Sequence, residues 1–464
     1  MDETCDVVVI GAGAAGENVA GRVAGGGMSV AVVEAELVGG ECSYWACMPS
    51  KALLRPGEVI AAARRVPGAA EAITGTIDVA AALARRDELA SNWNDEGQVR
   101  WLGSVGATLI RGRGRIVGER VVDVTADDGS VQTLRATKAV VVATGSSAAI
   151  PPIPGLRDIS VWDSRAVTSA KEVPSRLIVL GGGVVGVEMA QAWKRLGSTD
   201  VTIVEAGPRL LSLHEPFAGE QLAAAMGDEG ITVLTGSKAI AAERDGTDGP
   251  VRLTLDNGQV LEGDELLVAV GRRPNTSDLG LDQFGLEPGR YISVDDSLRA
   301  TEVDGGWLYA IGDVNGRALL THQGKYQARI CGDVILGKTI TAWADHVAVP
   351  GVVFTDPQIG SVGLTEAKAL ERGLDVRTVR YETGHVAAAS ARGTHTVGTS
   401  QLVIDQARNV VVGATFVGPE IGELVHSATI AIVGEVPLDR LWHAVPAFPT
   451  MSELWLRLLE AAGL

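Results

Sequence analysis

Residues 6 to 16 read DVVVIGAGAAG. A run of five residues dominated by β-branched side chains is too short for a buried helix and suits a buried strand. It runs straight into Gly11, Gly13 and Gly16. Glycine at those positions permits a tight turn and lets a pyrophosphate approach the amides at a helix start. A helix-compatible stretch follows, then a second apolar run, SVAVVEA at 29 to 35, so the segment reads as strand, turn, helix, strand. Three spaced glycines alone are weak evidence. Glu34, closing the second strand about 20 residues on, strengthens the reading, because a carboxylate there can bond a ribose hydroxyl.

The same pattern returns at 176 to 205, where RLIVL leads into Gly181, Gly183 and Gly186, then EMAQAWKRLG, then a strand that ends at Glu205. Two dinucleotide-binding folds in one chain define an α/β protein with two Rossmann-like domains. A carboxylate at Glu205 bonds a free 2'-hydroxyl and repels a 2'-phosphate, which favours NADH over NADPH as the nicotinamide; Arg209 nearby works against that preference.

Outward from these turns, the chain punctuates itself. Residues 60 to 100 are rich in Ala, Arg and Glu and read as helical, whereas 105 to 142 alternate like strands around DDG. PPIPG at 151 to 155 cannot be helical and suits a linker. After GRRPN at 271 to 275 the pattern changes again, and from about 345 strands give way to a helix-rich end. The expected divisions are therefore 1–150, 151–272, 273–344 and 345–464.

With 464 residues, 46% of them hydrophobic, and 58 glycines, the chain can build several cores. A net charge of -17 with no Lys or Arg cluster argues against a nucleic-acid or anionic-membrane partner. No apolar run reaches the ~20 residues of a membrane span. Nor does a basic leader precede the first strand, so a cytoplasmic location is expected.

Two of only four cysteines, Cys42 and Cys47, lie five residues apart in GGECSYWACMPSK, residues 39 to 51. That is too few and too local for a secreted disulfide scaffold. An ideal helix would hold such Cα atoms beyond the roughly 7 Å limit of a disulfide, so the turn must be distorted if they are bonded. Strained disulfides at helix starts are the redox-active kind. Two buried thiols or part of a metal site is the other reading, although no cluster of His or Cys supplies further ligands and no resident metal is expected. Cys5 and Cys331, in an apolar strand start and a helical run, read as packing residues.

Several ordered motifs together resemble the class I pyridine nucleotide-disulfide oxidoreductases, the family of glutathione reductase, lipoamide dehydrogenase and mercuric reductase, over essentially the whole length. ATG at Thr144 and Gly145 resembles the return from the FAD domain, and Gly271 of GRRPN is expected among the cofactor-binding residues. YAIGD at 309 to 313, with Gly312 and Asp313, resembles the second FAD motif, whose Asp binds the ribityl chain. VVFTDPQIGSVGLTE at 352 to 366 resembles the start of the dimer-interface domain. The resemblance implies FAD, a C-terminal α+β dimerisation domain and a homodimer in which residues 448 to 453 lie over the partner's thiol pair. It assigns Cys42 as the interchange thiol, Cys47 as the charge-transfer thiol beside the flavin, and Lys51 with Glu188 as an ion pair where hydride arrives. Electrons would then run from nicotinamide through FAD to the thiol pair and on to a small-molecule acceptor.

One motif departs from the family. Its disulfide reductases end in HPTxxE, whose His moves a proton to and from the substrate thiol. This chain reads FPTMSE at 448 to 453, so Phe448 replaces the His while Glu453 remains. His443 and His385 are the alternative proton carriers, though a lone histidine is more often structural. The mercuric enzymes' C-terminal cysteine pair is absent from the ending LLEAAGL. Tyr44, Ala46 and Glu41 replace the usual Asn, Gly and Thr. Bulky Tyr44 and Trp45 are expected to reshape the pocket or to pack a distorted helix, and Glu41, if it lies near Cys42, to raise that thiol's pKa. Three functions follow: a reductase acting on a disulfide or other thiophilic acceptor, a metal ion included; a diaphorase passing electrons directly to quinones or dyes; and a flavin-bearing redox-sensing subunit without useful turnover.

Overall fold

Val7, Val8 and Val9 are fully buried, and they lie in the strand Asp2–Ile10, near the middle of a seven-stranded sheet. The computed structural model describes residues 2–247 and 249–464. The chain divides into two compact units.

The first unit comprises Met1–Pro49, Asp87–Ala149 and Gly271–Asp345. Asp2–Ile10 pairs in parallel with Val30–Glu34 and with Val131–Val142, Val30–Glu34 pairs in parallel with Ala107–Arg111, and Leu308–Ala310 joins Val131–Val142. Parallel strands need a crossover, and the helix Ala14–Gly25 supplies the first one. Two antiparallel strands, Val121–Thr125 and Arg113–Gly118, extend the other edge. Each face of the sheet has its own apolar layer. Val7, Val9, Val32 and Val141 pack on one side with Val19 and Val23; Val8, Val33, Val140 and Val142 pack on the other with Ile116 and Val122. Burial on both faces is why these strands read as continuous apolar runs rather than alternating ones.

The second unit comprises Ser50–Arg86, Ile150–Val270 and His346–Leu464. Its four-stranded parallel sheet runs in the order Ile231–Thr235, Asp200–Glu205, Arg176–Leu180, Glu265–Val268. The helix Val184–Leu196 crosses between the middle pair and buries Trp193 completely. A five-stranded antiparallel sheet is built from Gly351–Val353, Gln358–Gly363, Val410–Gly418, Thr399–Asp405 and Val376–Glu382. Phe416, Leu402 and Ile404 of that sheet form one core with Leu454 and Leu458 of the last helix, Glu453–Ala461. The fold is thus α/β with one mixed and one parallel nucleotide-type sheet and a C-terminal α+β region. Among the described residues, no helix is long and apolar enough to cross a membrane.

Candidate active site

In the first unit the glycine turn is shaped by exclusion. Gly11 has φ +100°, and a Cβ there would lie 2.4 Å from the Ala143 carbonyl oxygen; one on Gly16 would lie 1.9 Å from that of Gly11. A Cβ on Gly13 would meet nothing within 4 Å, so the turn is packed against protein at two glycines and open at the third. Gly13 caps the helix without a side chain, which leaves the first-turn amides to a ligand. Glu34 braces the turn, accepting from the amides of Ala12 at 2.7 Å and Glu36 at 2.7 Å. Burial pushes its carboxyl above the usual range. An open glycine at an uncapped helix start, backed by a carboxylate, fits the pyrophosphate and ribose of FAD.

The second unit repeats the device. Gly181 has φ +111° with a virtual Cβ 2.5 Å from the Ala269 carbonyl oxygen, Gly186 would meet that of Gly181 at 2.0 Å, and Gly183 faces open space. Glu205 accepts from the amides of Gly182 at 2.7 Å and Gly207 at 2.6 Å. Arg209, close in sequence, donates to the Ser212 carbonyl at 3.0 Å.

Thr144, Gly145, Gly312 and Asp313 come together in the first unit. Thr144 Oγ1 donates to the Asn275 carbonyl at 2.8 Å, and the Asn275 amide donates to the Gly145 carbonyl at 3.0 Å. Gly145, Gly271 and Gly312 all have positive φ, at +69°, +134° and +74°. The Gly312 amide is held by Gln327 Oε1 at 2.8 Å. Asp313 accepts from Ser146 Oγ at 2.5 Å and lies 3.7 Å from Arg272 Nε, while Arg272 also donates to Ser146 Oγ at 2.7 Å.

Cys42 and Cys47 belong to different helices. The first, Gly40–Tyr44, ends at Trp45 with φ -135°; the second, Cys47–Arg64, starts two residues on. That break is the distortion needed to bring the two side chains together, and both are thiols in this structure. Thr321, opening the helix Thr321–Ile335, places Oγ1 3.2 Å from Cys47 Sγ. The Cys42 thiol is pushed well up, first by its hydrogen bond with Cys47 and then by burial, while Thr321 and Lys325 pull it down. For Glu41 a sequence expectation changes here, and for Tyr44 the packing alternative holds. Glu41 does not drive that shift; it stands 3.9 Å from Arg272 Nη2. Tyr44 lines no pocket: it is fully buried, donates to the Val38 carbonyl at 2.9 Å and meets the Trp45 ring edge-on.

In the second unit, Lys51 Nζ donates to Glu188 Oε2 at 2.7 Å. Glu188 is buried, its other oxygen accepting from the Phe354 amide at 2.9 Å. At the C-terminal end, Phe448 is 75% exposed. Glu453 is buried and pairs with Arg457 at 2.7 Å, so the carboxylate that would orient a histidine is held by a guanidinium. His443 and His385 are exposed, the latter edge-on to Tyr381. Cys5 and Cys331 are buried, and among the described residues no group of three metal-ligating side chains assembles.

Thr321, Arg272, Phe354 and Gln191 escaped the sequence reading. Phe354 carried a faint signal, lying inside the motif at 352 to 366, but nothing local says that it would face a lysine, nor that Thr321, eight residues past Asp313, would face a thiol.

Residues 5–328 match the family model for pyridine nucleotide-disulphide oxidoreductases, and 349–458 match that family's dimerisation domain. The chain is 31% identical to a mercuric reductase of Staphylococcus aureus, over 97% of this chain and 81% of that one. It is 36% identical to a dihydrolipoyl dehydrogenase of Chlorobaculum tepidum, over 97% and 95%. Among solved structures, the Cu(II) complex of a HOCl-induced flavoprotein disulfide reductase from Escherichia coli superposes with a TM-score of 0.86 at 25% identity, covering 99% of each chain. With the glycine turns, the thiol pair and the C-terminal α+β region in place, the chain belongs to the pyridine nucleotide-disulphide oxidoreductase family, FAD-dependent oxidoreductases that use pyridine nucleotides.

Proposed function

We propose that this protein is an NADH-dependent reductase whose Cys42–Cys47 pair delivers electrons to a thiophilic acceptor that needs little proton delivery: a disulfide with a good leaving thiol, or a soft metal ion. The observation that carries the reading is the conjunction of a complete thiol pair with Phe448 at the position of the usual histidine and Glu453 engaged by Arg457.

FAD, when bound, supplies the acceptance of hydride from nicotinamide and its onward transfer as an electron pair. Gly11, Gly13, Gly16 and Glu34 would hold its pyrophosphate and adenosine ribose, Asp313 its ribityl chain, with Thr144, Gly145, Gly271 and Gly312 shaping the turns around it. Gly181, Gly183, Gly186 and Glu205 would hold NADH. Arg209 is tied to a main-chain carbonyl, and Glu205 presents a carboxylate, which together disfavour a 2'-phosphate and so NADPH. Lys51, oriented by Glu188, would set a positive charge where negative charge develops.

Cys42 then works by exchange. Its thiolate attacks one sulfur of the acceptor, and the first leaving thiolate departs; Cys47 thiolate attacks Cys42 Sγ, releasing the second and closing the Cys42–Cys47 disulfide. Two electrons pass to the acceptor, and a leaving group already stable as an anion takes up no proton. For a metal ion, both thiolates ligate it and become the disulfide as two electrons leave them, reducing one divalent ion to the metal or two Cu(II) ions to Cu(I). The similarity to a mercuric reductase and to a reductase solved with Cu(II) supports including such ions as substrate. We further infer a cytoplasmic homodimer, with the segment around Phe448 and Glu453 completing the partner's site.

Anaerobic titration with NADH, and separately NADPH, tests the core of this. A long-wavelength band at two electrons, from Cys47 thiolate against oxidised flavin, is expected with NADH at lower concentration than with NADPH. Bleaching without that band would remove the thiol pair from the path and favour direct reduction of quinones.

A further inference from the structure

Besides a long hydrogen bond to its neighbour Ser50 Oγ at 3.3 Å, Lys51 has two anchors in the second unit. Glu188 is one, at 2.7 Å. The other is the ring of Phe354, whose centroid lies 4.6 Å from Nζ, inside the range of a cation–π contact. Phe354 also reaches the same ion pair through its backbone, donating its amide to the second oxygen of Glu188 at 2.9 Å.

The ring cannot follow the lysine about, because the backbone around it is fixed. Gln191, one turn beyond Glu188 on the helix Val184–Leu196, accepts from the Asp356 amide at 2.8 Å and donates to the Asp356 carbonyl at 3.0 Å. The Asp356 carboxylate is gripped by Arg65 at 2.8 Å and Arg195 at 3.0 Å. Thr355 Oγ1 closes onto the Pro357 carbonyl at 2.9 Å. Residues 354 to 357 are thus pinned by the helix Val184–Leu196 and by Arg65, just past the end of the helix Cys47–Arg64, and Phe354 is presented from a rigid mount with 40% of its surface still open.

We propose that Phe354 is a positioning residue for Lys51, its ring confining the ammonium to one place while its amide occupies part of the charge of Glu188. A lysine has a flexible four-carbon stem, and an ion pair with a long hydrogen bond to the adjacent Ser50 leaves it several ways to lie. A further contact, to the face of a ring, narrows these. The amide bond acts on Glu188 in the same sense: a carboxylate already shared with an N–H quenches less of the ammonium's field, leaving more for charge developing nearby. This rests on the proposed role of Lys51 at the flavin.

The test is a double-mutant cycle on FAD-loaded protein: Phe354→Leu and Phe354→Tyr, each with Lys51 intact and with Lys51→Met. Two quantities are measured, the rate of flavin reduction by NADH and the reduced-to-oxidised flavin ratio at a fixed dye potential. Phe354→Leu should lower both about threefold to fivefold, the size of a partly exposed cation–π contact, and Phe354→Tyr should lower neither. In the Lys51→Met background Phe354→Leu should have no further effect, since the coupled pair is already broken. Equal losses in both backgrounds, or a loss with tyrosine as large as with leucine, would mean that Phe354 only packs, and would overturn the inference alone. If Lys51→Met by itself changes neither quantity, the role of Lys51 falls, and this inference with it.

Discussion

Cys42 and Cys47 are hydrogen-bonded across a break between two helices, so each sulfur changes the chemistry of the other. The shared proton and burial hold the Cys42 thiol above its usual range. A raised thiol pKa means protonated, weakly nucleophilic sulfur at neutral pH, with thiolate gained as pH rises. Acceptor reduction through Cys42 is therefore expected to climb steadily from pH 7 to 9.5. A stopped-flow series with the enzyme pre-reduced checks this; a plateau already at pH 7 would contradict it.

Replacing Cys42 with Ser separates thiol chemistry from direct flavin chemistry. Turnover with disulfides or soft metal ions should fall at least ~100-fold, because the attacking atom is gone. Any quinone reduction should persist within about twofold. Steady-state assays on both acceptor classes decide it, and an unchanged disulfide rate would remove Cys42 from the mechanism.

Phe448→His tests what the departure from HPTxxE means. If proton delivery is what this chain lacks, a histidine there should raise turnover with a dithiol of ordinary basicity by about tenfold or more. A soft-metal acceptor should gain nothing. Adding Arg457→Gln, which frees Glu453 to orient the new imidazole, should add to the gain. No change with the dithiol would locate the limitation elsewhere.

Glu205 bears on coenzyme choice. Glu205→Ala should raise the KM for NADH roughly tenfold, through loss of about 1.4 kcal/mol of ribose contact. NADPH, relieved of repulsion, should gain. The ratio of the two kcat/KM values is the measurement, and a ratio that does not move would show that Glu205 only braces the turn through Gly182 and Gly207.

Glu17, in the first turn of Ala14–Gly25, is pushed up to about 7, mainly by burial, with Lys325 opposing and Glu34 adding. Its folded pKa lies above the ordinary 4.5, so the folded state holds the proton more tightly than the unfolded one. This group's contribution to stability is full below about pH 4.5 and is lost as pH rises through about 7. Glu17→Gln should flatten the fall in thermal stability between pH 5 and 8, a difference of ~1–3 kcal/mol. Parallel slopes for the two proteins would refute it.

Both glycine turns and their carboxylates were legible in the sequence because their logic is local. Gly11, Gly16 and Glu34 lie within 24 residues, and strand, turn and helix are dictated by backbone sterics and burial pattern. A distorted turn was legible only as the condition for Cys42 and Cys47 to bond; that the helix breaks at Trp45 was not. Where reading stopped is equally physical. Thr321 reaches Cys47 across 274 residues and Phe354 reaches Glu188 across 166. No local rule sets those contacts; sheet order and helix packing do. Arg209 and Glu41 show the same limit at short range, because neighbours in sequence say which charges are available but not where each side chain turns. Sequence alone established the α/β class, the two glycine turns with their carboxylates and the five-residue spacing of Cys42 and Cys47, all properties of residue type at fixed spacing; that Phe448 stands in for a histidine is what the family resemblance implies. Only tertiary structure decided that Tyr44 is core, that Cys42 is raised by its partner thiol, and that Lys51 lies between a carboxylate and a ring, since burial and electrostatics depend on what distant segments bring alongside.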